Sequence, residues 1–231
     1  DVFKDRTFMG YHRKDGSAGT ANYWLVIPLV FCENRNVEVL KTALLKPLGY
    51  KTSAADIIST ETLVKQYKNQ ATSEELLKSN ILKPEIPNTD EQVFPNVDGI
   101  KFLTHDGGCG GIRQDSVTLC NLLAGYITNP NVAGATVLSL GCQNAQIPIL
   151  EDAINKRDAQ FSKPLVILEQ QQSKSEQHFI EDAVKQTFLG LIEANKTKRA
   201  PAPLNKLTLG LECGGSDGFS GISANPALGH V

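Results

Sequence analysis

Trp24-Leu-Val-Ile-Pro-Leu-Val30 is an unbroken apolar run, and Phe31-Cys32-Glu33-Asn34-Arg35-Asn36 follows it directly. A run that is apolar at odd and even positions alike leaves no face for water. A strand of that kind is buried on both sides, as in a parallel sheet covered by helices. The polar stretch behind it opens a helix-like segment, Asn34–Leu45. Outward from this unit the same pairing recurs. Ile100–Thr104, Ala135–Leu140, Leu165–Leu168 and Leu207–Leu211 have strand length and strand composition.

Helix-like stretches separate them. Thr72 and Glu75 have capping-box spacing before Glu74–Ser79. Val117, Cys120, Leu123, Ala124 and Ile127 share one helical face. So do Ile180, Ala183, Val184, Thr187, Leu191 and Ile192, behind Ser173-x-x-Glu176, and Gln146–Asp158 makes another helix. Strand–helix alternation predicts an α/β fold with an open, mostly parallel sheet and helices on both faces, a Rossmann- or flavodoxin-like three-layer arrangement. Residues 84–95 (PEIPNTDEQVFP) read as a long loop, and Lys196–Pro203 as a surface connector.

The chain has 231 residues, 41% hydrophobic and 21% charged, with a net charge of −2. That is enough for a core without disulfide staples. Near-neutral charge without a basic cluster argues against nucleic-acid or membrane-surface binding. No apolar run approaches the roughly 18 residues that span a bilayer, and the polar start DVFKDRTF is not that of a signal peptide. Five cysteines, an odd count in a chain of this size, fit free or metal-bound thiols in a reducing compartment. Homo-oligomers are compatible with all of this.

In an open α/β sheet, ligands sit beyond the carboxyl ends of the strands. The segments after the five expected strands are Phe31–Asn36, His105–Gly111 (HDGGCGG), Gly141–Asn144 (GCQN), Glu169–Gln172 (EQQQ) and Glu212–Gly218 (ECGGSDG). Four cysteines, Cys32, Cys109, Cys142 and Cys213, fall there, and Cys120 lies within a helix pattern. Cys, His, Asp and Glu make a transition-metal ligand set. Without C-x-x-C or H-x-x-x-H spacing, such ligands would converge from separate loops, as in an open catalytic site. A Cys109–His105 nucleophile pair is the competing reading. A phosphate loop is excluded, because Cys213 and Arg113 stand where G-x-G-x-x-G requires glycine. Ser216, Asn144, Asn225 and Asn22 supply neutral groups suited to a polyol.

MGYHRKDGSAGTANYWLVIPLVFCENRN, FPNVDGIKFLTHDGGCGG, LAGYITNPNVAGATVLSLGCQNAQI and LGLECGGSDGFSGISANPALG together resemble the altronate/galactarate dehydratase family, in order and over nearly the whole chain. FCENRN and HDGGCGGIRQDS resemble its altronate branch. The resemblance implies a cytoplasmic hydro-lyase of sugar-acid catabolism that depends on Fe(II) or sometimes Mn(II). It implies a longer enzyme, with a β-rich N-terminal domain and a C-terminal domain on either side of an α/β middle domain. Residues 1–231 would be that middle domain, inactive alone and partnered by the remaining domains. The single methionine, Met9, and the end at NPALGHV fit that expectation.

The implied reaction dehydrates D-altronate to 2-keto-3-deoxygluconate, with proton abstraction next to the carboxylate assisted by a metal. Galactarate or a related hydroxy acid is the alternative substrate, and a non-catalytic sugar-acid-binding module the alternative of another class. Cys109, Cys142, Cys213 and His105 are the expected metal ligands. His105, Cys109, Glu212 and Asp217 are the expected catalytic residues, and Asn34, Arg35, Asn144 and Ser216 the expected substrate contacts.

Overall fold

The structure, a computed structural model, describes residues 5–50, 59–82, 91–212, 214–215 and 217–230. In chain order its elements begin with β1 (Thr7–His12), β2 (Ala18–Gly19), β3 (Tyr23–Pro28) and α1 (Asn34–Leu44). Then come α2 (Glu61–Lys68), α3 (Ser73–Leu77), β4 (Gly99–Phe102), α4 (Arg113–Thr128) and β5 (Val132–Ser139). The last are α5 (Ile147–Arg157), β6 (Leu165–Glu169), α6 (Glu176–Ala194), β7 (Ala200–Pro203) and α7 (Ala224–His230). No helix among the described residues is long and apolar enough to cross a membrane.

The main sheet has the order β4-β3-β5-β6, and every pairing in it is parallel. Its residues face two cores in alternation, as the double-sided apolar run requires. Trp24 and Val26 of β3 pack with Val37 and Leu40 of α1 and with Phe179, Ala183 and Leu191 of α6. Leu25 and Ile27 pack on the other side with Cys120, Leu123, Ala124 and Ile127 of α4 and Leu150 of α5. The three-layer α/β expectation therefore holds. The Trp24 indole N–H donates to Thr136 Oγ1 at 3.1 Å, which pairs with Thr187 Oγ1 at 2.8 Å. This chain satisfies the polar atoms that the core would otherwise strand.

The order places the second strand, β4, on one side of the first, β3, and the third, β5, on the other. The connections out of β3 and β5 therefore diverge at their carboxyl ends, which opens a switch point at that edge.

Several expectations need correction. Leu207–Leu211 is not a strand: it has no regular structure, and Leu207, Leu209 and Leu211 stand 45%, 77% and 64% exposed. Its leucines alternate as a half-buried strand would, but within the described chain no sheet edge receives them. The fifth strand is instead β7, inside the segment read as a connector. It pairs antiparallel with β1, which pairs with β2, in a separate three-stranded sheet. Arg199 ties that sheet to the body, donating to Asp98 and to the Thr20 carbonyl while stacking on Tyr11 at 4.6 Å. The cap of α6 is Ser175, which accepts from the His178 amide, rather than Ser173. Val117 and Ile192 lie toward solvent, and Ser116 and Gly190 are buried on those helices instead. The Thr72–Glu75 capping box is present as expected. Of the expected long loop, 84–90 lies outside the described residues, and 91–95 is irregular with Phe94 buried.

Candidate functional site

Three exit turns meet at the carboxyl edge of β3, β4 and β5. A 3-10 turn, Phe31–Glu33, leads from β3 into α1. The Phe31 amide donates to the Gly107 carbonyl at 2.9 Å, which binds this turn to the loop after β4. The Ala145 amide donates to the Gly108 carbonyl at 2.9 Å, which binds that loop to the one after β5. Gly108 has φ +97°, and a Cβ there would stand 2.4 Å from the Leu29 carbonyl oxygen. Only glycine accepts both that conformation and that approach. The double-glycine motif is thus explained by backbone packing against the exit of β3.

His105 sits within this weave. Its Nε2 lies 2.7 Å from the Pro28 carbonyl, and the Gly107 amide lies 3.1 Å from its Nδ1. A backbone N–H can only donate, so Nδ1 accepts and Nε2 carries the proton. Both ring nitrogens are therefore engaged in holding the loop. The Asn34 side chain donates to the His105 carbonyl at 2.9 Å. Arg35 pairs with Glu176 at 2.5 Å, with their side chains 73% and 43% exposed. Asn144 donates to the Cys109 carbonyl at 3.4 Å. Gln143 is buried, accepts from the Gly141 amide and donates to Ser139 Oγ, so it shapes the turn after β5.

The edge thus gathers His105, Cys109, Asn34, Arg35, Cys142 and Asn144 on adjoining turns. Cys32 and Cys142 are exposed, Cys109 is half-buried, and all three are free thiols. Burial in the helix layer pushes the Cys120 thiol up to about 11, which fits its expected structural role. Glu212 and Asp217 are exposed in the segment after β7 and do not stand at the end of a main-sheet strand, because Leu207–Leu211 does not join that sheet. Cys213 and Ser216 lie outside the described residues.

The implied metal needs several convergent donors. Among the described residues, no three His, Cys, Asp or Glu side chains come together as a metal site. With both nitrogens of His105 occupied, Cys109, Cys142 and His105 do not make such a site by themselves.

Glu33 was not among the expected site residues. It is fully buried at the start of α1, where Oε2 accepts from the Asn36 side chain at 2.8 Å and Oε1 has no hydrogen-bond partner. Burial pushes its carboxyl up, the Asn36 hydrogen bond opposes that, and the charge of Glu176 adds to it. Its place in FCENRN put it in the right turn, but nothing in the letters marks a glutamate as buried.

The match to known proteins covers nearly all of this. Residues 10–195 match the model of the D-galactarate dehydratase/altronate hydrolase second domain, and residues 204–231 match the D-galactarate/altronate dehydratase C-terminal model. The boundary falls where the chain leaves the α/β body. An altronate dehydratase of Bacillus subtilis is 30% identical over 98% of this chain, and one of Escherichia coli is 26% identical over 98%. A galactarate dehydratase (L-threo-forming) of Escherichia coli is 34% identical over 45% of the chain. The chain spans 36% of the length of each altronate dehydratase and 20% of that of the galactarate enzyme.

Proposed function

Since this chain belongs to the D-galactarate dehydratase/altronate hydrolase family, we propose that it serves the dehydration of a sugar acid, D-altronate, to 2-keto-3-deoxygluconate and water. The observation that carries this reading is the joining of three exit turns at one sheet edge, through the Phe31–Gly107, Ala145–Gly108 and His105–Pro28 hydrogen bonds. The choice of altronate rests on the two altronate dehydratases that match along nearly the whole chain.

In this reaction the C2–H bond breaks and its proton goes to a base. The C3–O bond breaks, and the hydroxide leaves as water after taking up a proton. The enol that remains becomes the keto acid. A proton beside a carboxylate is a weak acid because its removal builds a second negative charge, so binding must favour that charge. At this edge Arg35 is an exposed cation, with Arg113 at the start of α4 another, and Arg35 can exchange Glu176 for the substrate carboxylate. Asn144 and Asn34 stand on the adjoining turns, on the carbonyls of Cys109 and His105, with amides suited to hydroxyl groups, and α1, α4 and α5 begin at this edge, where helix amino ends favour an anion. His105 holds the floor in its Nε2–H form.

The described donors form no metal site by themselves, so an Fe(II) requirement of the whole enzyme needs donors from outside the described residues as well. The same holds for completing the active site. Residues 1–231 alone are expected to turn over little or no altronate, in a cytoplasmic enzyme whose other domains supply the remainder.

The test compares altronate, galactarate and sulfolactate as substrates of the intact longer protein, with Fe(II) under anaerobic conditions. Fastest conversion of altronate, with Arg35→Ala and Asn144→Ala raising KM, supports the proposal. Faster conversion of galactarate replaces the substrate. Binding of altronate without turnover of any of the three leaves a binding module and overturns the enzymatic reading.

A further inference from the structure

Four buried polar side-chain atoms among the described residues have no hydrogen-bond partner: Asn22 Oδ1, Glu33 Oε1, Asn36 Oδ1 and Ser116 Oγ. Two of the four belong to one pair, because Asn36 already donates to Glu33 Oε2 at 2.8 Å. Both orphans are acceptors if Glu33 is ionised, and two buried acceptors cannot satisfy one another. Each would then bear the cost of desolvation with nothing in return. A single proton on Oε1 supplies the donor that this pair lacks, since a carboxylic acid both donates and accepts. It would face the carboxamide as one amide faces another, with Oε1–H toward Oδ1 and Nδ2–H toward Oε2.

We propose that Glu33 is a neutral carboxylic acid in the folded protein at neutral pH, and that its closed pair with Asn36 is the positioning element of the turn that presents Cys32 and Asn34 at the sheet edge. The charges around the pair agree with this. Glu176, at the start of α6, acts on Glu33 through its charge and disfavours a second carboxylate. Arg35 is the nearest cation in sequence, but it is held on Glu176 at 2.5 Å rather than on Glu33. The amino end of α1 favours an anion, yet Glu33 makes no side-chain cap hydrogen bond there. Burial opposes the charged form and strengthens both bonds of the neutral pair. The inference concerns this chain alone and does not depend on the identity of the substrate.

Two measurements on the 231-residue chain test it. The first follows the side-chain 13Cδ resonance of Glu33 with pH, assigned by its loss in Glu33→Gln. The expected midpoint lies above pH 7, and a midpoint below pH 7 overturns the proposal. The second compares urea midpoints of the native chain, Glu33→Gln and Glu33→Ala across pH. Glutamine reproduces the neutral pair, so Glu33→Gln should match the native chain at low pH and overtake it as pH rises past the point where the glutamate of the unfolded chain ionises. Parallel curves for those two proteins overturn the proposal. Slowed amide exchange at Asn34 and Gly107 should survive in Glu33→Gln and be lost in Glu33→Ala. Should Glu33→Ala fail to fold, the resonance and the Glu33→Gln comparison still decide.

Discussion

His105 reaches back across the sheet edge to close the end of β3, its Nε2–H donating to the Pro28 carbonyl over 2.7 Å. With Nδ1 accepting from Gly107, the ring staples two exit turns together. Removing it leaves a backbone carbonyl and an amide without partners in a partly buried site. His105→Ala is therefore expected to lower unfolding stability by about 1–2 kcal/mol. Urea denaturation of the chain measures this. Unchanged stability, together with lost turnover in the longer enzyme, would return His105 to the role of base or ligand.

Gly108 and Gly110 share a loop but not a constraint. Gly108 holds φ +97° with the Leu29 carbonyl 2.4 Å from where a Cβ would stand, whereas a Cβ on Gly110 meets nothing within 4 Å. Gly108→Ala must force apart the exits of β3 and β4 and should cost at least about 2–3 kcal/mol. Gly110→Ala should change stability by less than about 0.5 kcal/mol. Equal effects in thermal unfolding of the two variants would show that the loop is not pinned at Gly108.

These two residues also show how far the sequence could be read. Trp24–Val30 announced its place because burial on both faces leaves a continuous apolar run, and the parallel sheet, though not its strand order, followed from strand–helix alternation. The turns beyond the strands were legible for the same reason, since the fold puts them at one edge. What each side chain does there was not legible. His105 has the letters of a base and the hydrogen bonds of a brace, and the difference lies in Pro28, 77 positions away. Leu207–Leu211 has strand periodicity, but pairing depends on an available edge, which periodicity does not encode. Strand β1 was missed because Thr7–His12 buries only Gly10 and Tyr11, against a partner strand nearly 190 residues away.

The cysteines separate by environment rather than by motif. Cys32 and Cys142 are exposed, while Cys120 is fully buried and its thiol is pushed up to about 11. Alkylation proceeds through the thiolate and needs access. Brief iodoacetamide treatment near pH 7.5, read by peptide mass spectrometry, should label Cys32 and Cys142 and spare Cys120 until urea unfolds the chain. Early labelling of Cys120 would mean that α4 does not seat against the sheet as described.

Lys163 is expected to give the chain a pH dependence of definite sign. Its ammonium donates to the carbonyls of Ile127, Thr128 and Asn129 at 3.2, 2.9 and 2.6 Å, capping the carboxyl end of α4. Burial, with Arg13 nearby, lowers its pKa to about 8. An unfolded lysine titrates near 10.4. Between those values the unfolded chain holds the extra proton, so stability contributed by this group rises with pH, by at most about 1.4 kcal/mol per pH unit. Cys120 and Tyr50, pushed up to about 11 and about 12, act in the opposite direction, so the native curve alone is not diagnostic. The difference from Lys163→Met is. That variant should be less stable by about 2 kcal/mol at pH 7, where three carbonyls lose their donor, and its deficit should widen from pH 8 to pH 10. A deficit that narrows over that range would show that the three carbonyls hold Lys163 in its charged form well above pH 8.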